Sequence, residues 1–328
     1  MRVLTNKYPI PIKPYRENTV IFWRHYFKDY KVEIKIENLN KIYGGGNWAL
    51  KDVNLTIPNG MFGLLGPNGA GKSSLMRILV TLMKPSSGKV TVDGLDLMKN
   101  RKEIRAMLGY LPQDFRFFAK LKTWEFLDYT ARLAGMKSRS VRHDAVDRML
   151  EEVGLFEARD RNANRLSGGM KRRLGIAQAL INDPKIIIVD EPTTGLDPEE
   201  RIRFRNLLSR ISSRDVIIIL STHIVGDISS TCENMALLNK GKLAFTGSPE
   251  QLMMEAEGKV WLIQATEKEY LEINDKYPVI ATIPTEKGWE LQVVADNING
   301  YYGHQIEPNL EHAYVYFMEK NLNQWSMA

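Results

Sequence analysis

A chain of 328 residues, 44% hydrophobic and 26% charged, has the composition of a soluble, core-forming protein and exceeds one ordinary domain, so one large domain with appendages is expected. Its longest aliphatic runs, IIIV at 186–189 and VIIIL at 216–220, fall far short of the roughly 18 residues of a membrane-spanning helix, and a single cysteine, Cys232, excludes an internal disulfide framework. The net charge of +6 is uneven: residues 1–31 carry seven Lys or Arg against two acids and residues 259–328 five against ten, which excludes one uniform surface and points to modules with different neighbours.

The first 31 residues interleave Tyr, Phe and Trp with Lys and Arg. Two readings stay open for this basic extension, a membrane-surface arm or upstream sequence read through from a mis-assigned start. From Val32, VEIKIENLNKIY and ALKDVNLTI alternate apolar and polar residues, which predicts an antiparallel β layer. FGLL then runs into a glycine loop and SLMRILVTLM, a strand, loop and helix stopped at Pro85. Between about 115 and 182 the runs WEFLDYTARLAGM and RHDAVDRMLEEVG space their apolar residues by three and four, so a helical subdomain is expected there. KIIIVD and DVIIIL are apolar throughout and suit strands buried on both faces of a parallel sheet, with PEERIRFRNLLSRI as the crossover helix. After GSPEQLMMEAEG the pattern reads β-α-β-β-α, a small α+β module over residues 257–328. The start lacks the apolar core of a secretion signal, and a reducing, cytoplasmic setting is expected.

Two stretches carry phosphate chemistry. GPNGAGKS, from Gly66 through Pro67, Asn68, Gly69, Ala70, Gly71 and Lys72 to Ser73, fills every position of G-x-x-x-x-G-K-[ST] between a predicted strand and helix. Its glycines let backbone N–H groups converge on phosphate oxygens at the positive end of the helix. Lys72 is placed to reach the β- and γ-phosphates and Ser73 to ligate magnesium, with Ser74 next in the same set. The strand IIIVDE ends in Asp190 and Glu191 where it opens beside the phosphates. Two adjacent acids can divide the work there: Asp190 for the metal shell, Glu191 to orient and deprotonate the attacking water. A second glycine turn, NRLSGGMKRRLG at 164–175, poses the question of what it holds.

GPNGAGKS, LPQ, LSGGM, IIIVDEPTTGLDP and STH, in this order over residues 32 to about 256, resemble the nucleotide-binding subunit of an ABC transporter. GLDPEER and PNLEHAYVYF are similar to the spelling of bacterial type-2 exporters, whose ATPase and membrane subunit are separate chains. The resemblance implies the P-loop NTPase α/β core of that family, an antiparallel β subdomain, a helical subdomain at about 115–182 and ATP with Mg2+ as ligands. It implies that Tyr43 stacks on adenine, that Gln113 senses magnesium and water and couples to the membrane subunit, and that His223 contacts the γ-phosphate. Asp197 matches the loop through which two ATPase subunits communicate. Ser167, Gly168 and Gly169 would cap the γ-phosphate bound by the other subunit. Met170 stands where the family has glutamine, which puts any side-chain role at that position in doubt.

The implied function is an ATP-hydrolysing motor at the cytoplasmic face of the cell membrane, peripheral, partnered by an integral membrane permease and a second ATPase subunit, either an identical chain or a paralogue. A soluble nucleic-acid ATPase and a small-molecule kinase are the competing classes. The first needs a long coiled coil or a second cassette, which this chain lacks, and the second leaves LSGGM and STH unexplained. No nucleic-acid partner is expected, and Lys171, Arg172 and Arg173 read as a solvated basic face.

Overall fold

The computed structural model describes residues 32–118 and 120–325, with side chains through residue 320. The expected basic extension, 1–31, lies outside the described residues. The described residues make one compact unit.

Two antiparallel strands open it, β1 (Ile34–Ile42) and β2 (Trp48–Ile57), followed by β3 (Gly60–Leu65) and the helix Lys72–Leu79. β4 (Ser87–Val92) and β5 (Leu95–Asp96) then return to the first layer, giving a sheet in the order β2-β1-β4-β5. After the helix Arg101–Ala106 come β6 (Leu108–Leu111), β7 (Ile186–Asp190), β8 (Ile217–Thr222), β9 (Asn234–Asn239) and β10 (Lys242–Gly247). With β3 they form a second sheet in the order β10-β9-β3-β8-β7-β6, parallel except for β10.

The strand sequences explain this sandwich. Side chains alternate faces along a strand, so Ile186, Ile188, Ile217 and Ile219 enter a core shared with Ile34, Leu50 and Leu75. Their neighbours Ile187, Val189, Ile218 and Leu220 enter a second core with Phe126, Leu150, Leu174 and Phe204 on the helical side. A run without polar residues is what a strand covered on both faces requires. The second core holds the helices Thr123–Leu133, Arg139–Glu152 and Gly168–Leu180, within the stretch expected to be helical.

Beyond the helix Pro249–Met254, β11 (Val260–Ala265), β12 (Val279–Thr285), β13 (Gly288–Val294) and β14 (Gly303–Gln305) make a third, antiparallel sheet in the order β12-β13-β11-β14. The helix Glu267–Lys276 packs on it over a small core of Ile263, Ile273, Leu291 and Val293. The order is β-α-β-β-β-α, one strand more than the sequence reading, because β14 is only three residues long and borders a turn. The terminal helix, Leu310–Trp325, packs on the helices Pro249–Met254 and Val225–Ser229. Leu310 and Ala313 are buried in the same core as Ile228 and Leu252, and the rings of Phe317 and Phe245 meet at 5.8 Å.

Parallel register aligns the strand ends. Leu65 pairs with Thr222 and Asp190 with Ser221, so the segments starting at Gly66, Glu191 and His223 leave the sheet side by side. Ligand crevices of open parallel sheets form at such carboxyl ends.

Candidate functional site

The glycine loop is fixed by close backbone approach. A Cβ at Gly66 would stand 2.2 Å from the Leu238 carbonyl oxygen, and one at Gly71 2.3 Å from that of Ala49. Gly69 and Gly71 also have φ of +80° and +108°, a region that favours glycine. The helix that follows, Lys72–Leu79, presents its free N–H groups to the cleft.

Lys72 curls back into this loop: its Nζ donates to the carbonyl oxygens of Gly66 at 2.7 Å and Pro67 at 3.2 Å. It also stands 3.5 Å from Glu191 Oε1. Burial pulls the Lys72 ammonium below its usual pKa, and the Glu191 carboxylate works against that pull. Glu191 has φ of +46°, off the strand geometry, while its N–H still donates to the Ser221 carbonyl at 2.9 Å. That bend turns its carboxylate into the cleft, where Gln113 Nε2 donates to Oε2 at 3.1 Å and His223 Nδ1 lies 3.2 Å from the same oxygen. Lys72, Gln113, Glu191 and His223, called from four separate stretches of sequence, form one polar cluster.

The cleft has a volume of about 700 Å³. Asn68 through Ser74 line one side, Gln113, Glu191, Thr194 and His223 another. Tyr43 lines its mouth, with its hydroxyl 3.1 Å from Ser74 Oγ and its ring 41% exposed. Asn47, Trp48 and Ala49 line it too and were not singled out from sequence. The signal was there in Trp48, a 51% exposed aromatic directly after a glycine turn.

Asp190 lies beneath this surface. It is 4% exposed, its Oδ1 has no hydrogen-bond partner, and burial pushes its carboxyl pKa up. The buried Ser221 hydroxyl beside it opposes that rise. Among the described residues no group of three or more His, Cys, Asp or Glu could hold a metal ion. A donor set of one orphaned carboxylate, a serine hydroxyl and a glutamine is what magnesium accepts when phosphates and water fill the remaining positions, so Ser73, Gln113 and Asp190 fit the ion.

Ser167, Gly168, Gly169 and Asp197 are not part of the cleft lining. Ser167 caps the helix Gly168–Leu180, its Oγ accepting from the Met170 N–H at 3.2 Å. Asp197 caps the helix Pro198–Ser212 by accepting from the Glu200 N–H at 2.8 Å. The two glycines differ: a Cβ at Gly169 would strike the Glu200 carboxyl at 2.2 Å, whereas at Gly168 nothing stands within 4 Å. Two of the three basic residues that follow are engaged within the chain and are not a solvated face. Arg172 donates to the Gln113 carbonyl at 2.7 Å, and Arg173 to those of Val153 and Gly154 at 3.2 and 3.1 Å.

The family model described as ABC transporter matches residues 50–194. An uncharacterized ABC transporter ATP-binding protein of Nostoc sp. is 36% identical over 229 residues, covering 67% of this chain and 68% of its own. Among solved structures, cbiO1 from Clostridium perfringens, part of the ABC transporter complex cbiONQ, is 28% identical with a TM-score of 0.62, covering 74% of this chain and 94% of its own. A dimeric ATP-binding cassette in a post-hydrolysis state, bound to ADP and Pi, is 28% identical with a TM-score of 0.60, covering 66% of this chain and 98% of its own. No helix among the described residues is long and apolar enough to cross a membrane. With its phosphate loop, its acid pair and its serine-capped helix at LSGGM on the fold of these cassettes, the chain belongs to the ABC transporter ATP-binding proteins and is an ATPase of that family.

Proposed function

We propose that this chain is the motor subunit of an exporter, closing as a dimer around two ATP molecules and driving a separate integral membrane permease from the cytoplasmic face of the membrane. The observation that carries the reading is the cluster on Glu191: a buried carboxylate at the edge of the phosphate cleft, steered by Gln113 and His223 on one oxygen and by Lys72 on the other. A base must be aimed before it can take a proton from water, and this one is held from three sides. Residues 32–256 are assigned to the ATPase and 257–328 to an accessory module, with residues 1–31 a basic extension.

In this reading the residues take the roles that the resemblance implies. Lys72 binds the β- and γ-phosphates, the N–H groups of the loop from Gly66 to Gly71 and of the helix start through Ser73 and Ser74 cradle them, and Tyr43 stacks on the base. His223 contacts the γ-phosphate while it orients Glu191. Ser73, Gln113 and Asp190 would hold Mg2+, which when bound would supply positive charge to offset that of the phosphates. Ser167, Gly168 and Gly169 serve the ATP of the second subunit: the open space over Gly168 supports that geometry, as does the dimeric state of the related cassette with ADP and Pi. Asp197 signals between subunits. Export rather than import rests on the likeness of GLDPEER and PNLEHAYVYF to type-2 exporters. Glu191→Gln tests the assignment: hydrolysis falls by about 10²-fold or more, and ATP accumulates at a closed dimer visible by size with and without ATP. Hydrolysis at the parent rate would rule Glu191 out as the base.

A further inference from the structure

Asp227 sits in the short helix Val225–Ser229, one turn past His223, and is fully buried. Its Oδ2 accepts from the hydroxyl of Thr193 and, at 3.3 Å, from that of Thr222. Its Oδ1 has no hydrogen-bond partner among the described residues, and no ion pair there reaches it. A carboxylate taken out of water without a cation is expensive, and the residues it holds show what the expense secures. Thr193 is two residues after Glu191, and Thr222 immediately precedes His223. Thr222 also accepts from the Ile224 N–H at 2.9 Å, which shapes the turn that carries His223 out of β8.

The contacts close a ring. From Glu191 the chain runs through Pro192 to Thr193, across to Asp227, across again to Thr222, on to His223, and from His223 Nδ1 back to Glu191 Oε2 at 3.2 Å. We propose that Asp227 is a positioning residue that sets the separation of Glu191 and His223 by clamping, through two threonine hydroxyls, the loops that carry them. It touches neither phosphate loop nor cleft. The inference rests on the reading of Glu191 and His223 as the hydrolytic pair. Groups fixed through such bonds lose rate when they move by about 1 Å, without losing the substrate.

Steady-state ATP hydrolysis by the full chain tests it, with Glu191→Gln alongside. Asp227→Asn and Thr193→Val each lower kcat by roughly 10- to 100-fold and leave KM for ATP within about twofold. Thr193→Ser, which keeps the hydroxyl, stays near the parent kcat. The double variant Asp227→Asn, Thr193→Val falls no further than the worse single, because both act through one bond. A parent-like kcat in Thr193→Val, or a rise in KM with kcat unchanged, overturns the proposal. If Asp227→Asn does not fold, the Val and Ser variants of Thr193 decide alone. An active Glu191→Gln overturns the site assignment and this inference with it, whereas an inactive Glu191→Gln beside a fully active Thr193→Val overturns the inference only.

Discussion

Lys72 and Glu191 form an ion pair at 3.5 Å on the floor of the cleft, with side chains only 3% and 7% exposed. In the proposed reading Lys72 grips phosphate; within the chain its buried charge is offset chiefly by Glu191, with Asp190 further off. Glu191→Gln takes the nearer anion away and leaves the ammonium with two carbonyls and the weaker pull of Asp190. The ligand-free variant is therefore expected to be less stable by about 1–3 kcal/mol, and ATP to raise its Tm more than it raises the parent's. Thermal unfolding with and without ATP measures both. Identical ligand-free Tm values would show that the pair contributes nothing net.

The terminal helix predicts a pH dependence. His312 is 3% exposed, and the Asn309 N–H donates to its Nδ1 at 3.2 Å, so the ring proton sits on Nε2 and bonds Gln292 Oε1 on β13 at 2.9 Å. That tautomer is neutral, and burial holds the His312 pKa below its ordinary value of 6.5, opposed by Glu311. With a depressed histidine the unfolded chain takes up a proton that the folded chain refuses. Stability is thus fully present above pH about 6.5 and falls as the pH drops below it, by at most about 1.4 kcal/mol per unit. His312→Gln, compared with the parent by denaturant unfolding at pH 7.5 and 5.5, should lose that share of the slope. An unchanged slope would mean that His312 takes up its proton equally in the folded and unfolded chains.

Leu310 tests whether the terminal module is separable from the ATPase. Because it is buried in the core that holds Ile228 and Leu252, Leu310→Ala should cost about 2–4 kcal/mol and lower the Tm of the whole chain in a single transition. A second, independent transition that alone responds would mean the module unfolds by itself.

How much of this was legible depends on how local each signal is. The strand of four apolar residues before Asp190, the phosphate loop and the helical stretch each declare themselves within a window of ten to fifteen residues, through period or motif. β4 escaped because its partner is β1, some fifty residues earlier, and SGKV begins with three exposed residues, and β5 because it is only two residues long and pairs with β4 alone. The cluster on Glu191 was named residue by residue, but its geometry was not, since the bend at φ of +46° leaves no mark on sequence. The contrast between Gly168 and Gly169 was hidden for the same reason. Reading LSGGM alone assigns both to phosphate, while the fold sets Gly169 against Glu200 and leaves Gly168 open. Asp227 was missed because a buried acid in a five-residue helix has no periodicity to betray it.

That contrast sharpens a test of subunit geometry in a dimer of two copies of this chain. Since a Cβ at Gly168 meets nothing, Gly168→Asp should fold with a ligand-free Tm close to the parent's, while placing a carboxylate where a backbone N–H has to approach the γ-phosphate. Gly169→Asp differs, because its Cβ meets the Glu200 side chain inside its own chain, which has to move aside. Lys72→Ala removes the charge that in the proposed reading grips ATP. Each of the variants Lys72→Ala and Gly168→Asp alone should neither dimerise with ATP nor hydrolyse it. In a mixed dimer the Lys72→Ala chain brings a sound LSGGM and the Gly168→Asp chain a sound phosphate loop, and across the interface these meet at one whole site, while the other site carries both defects. If LSGGM served the nucleotide of its own chain, every site in the mixture would carry one defect. Mixing the purified variants is therefore expected to restore a fraction of ATP-dependent dimerisation, read by size, and hydrolysis too where one intact site suffices. Mixed dimers that form by other means but gain nothing from ATP would rule out the trans placement of Ser167, Gly168 and Gly169.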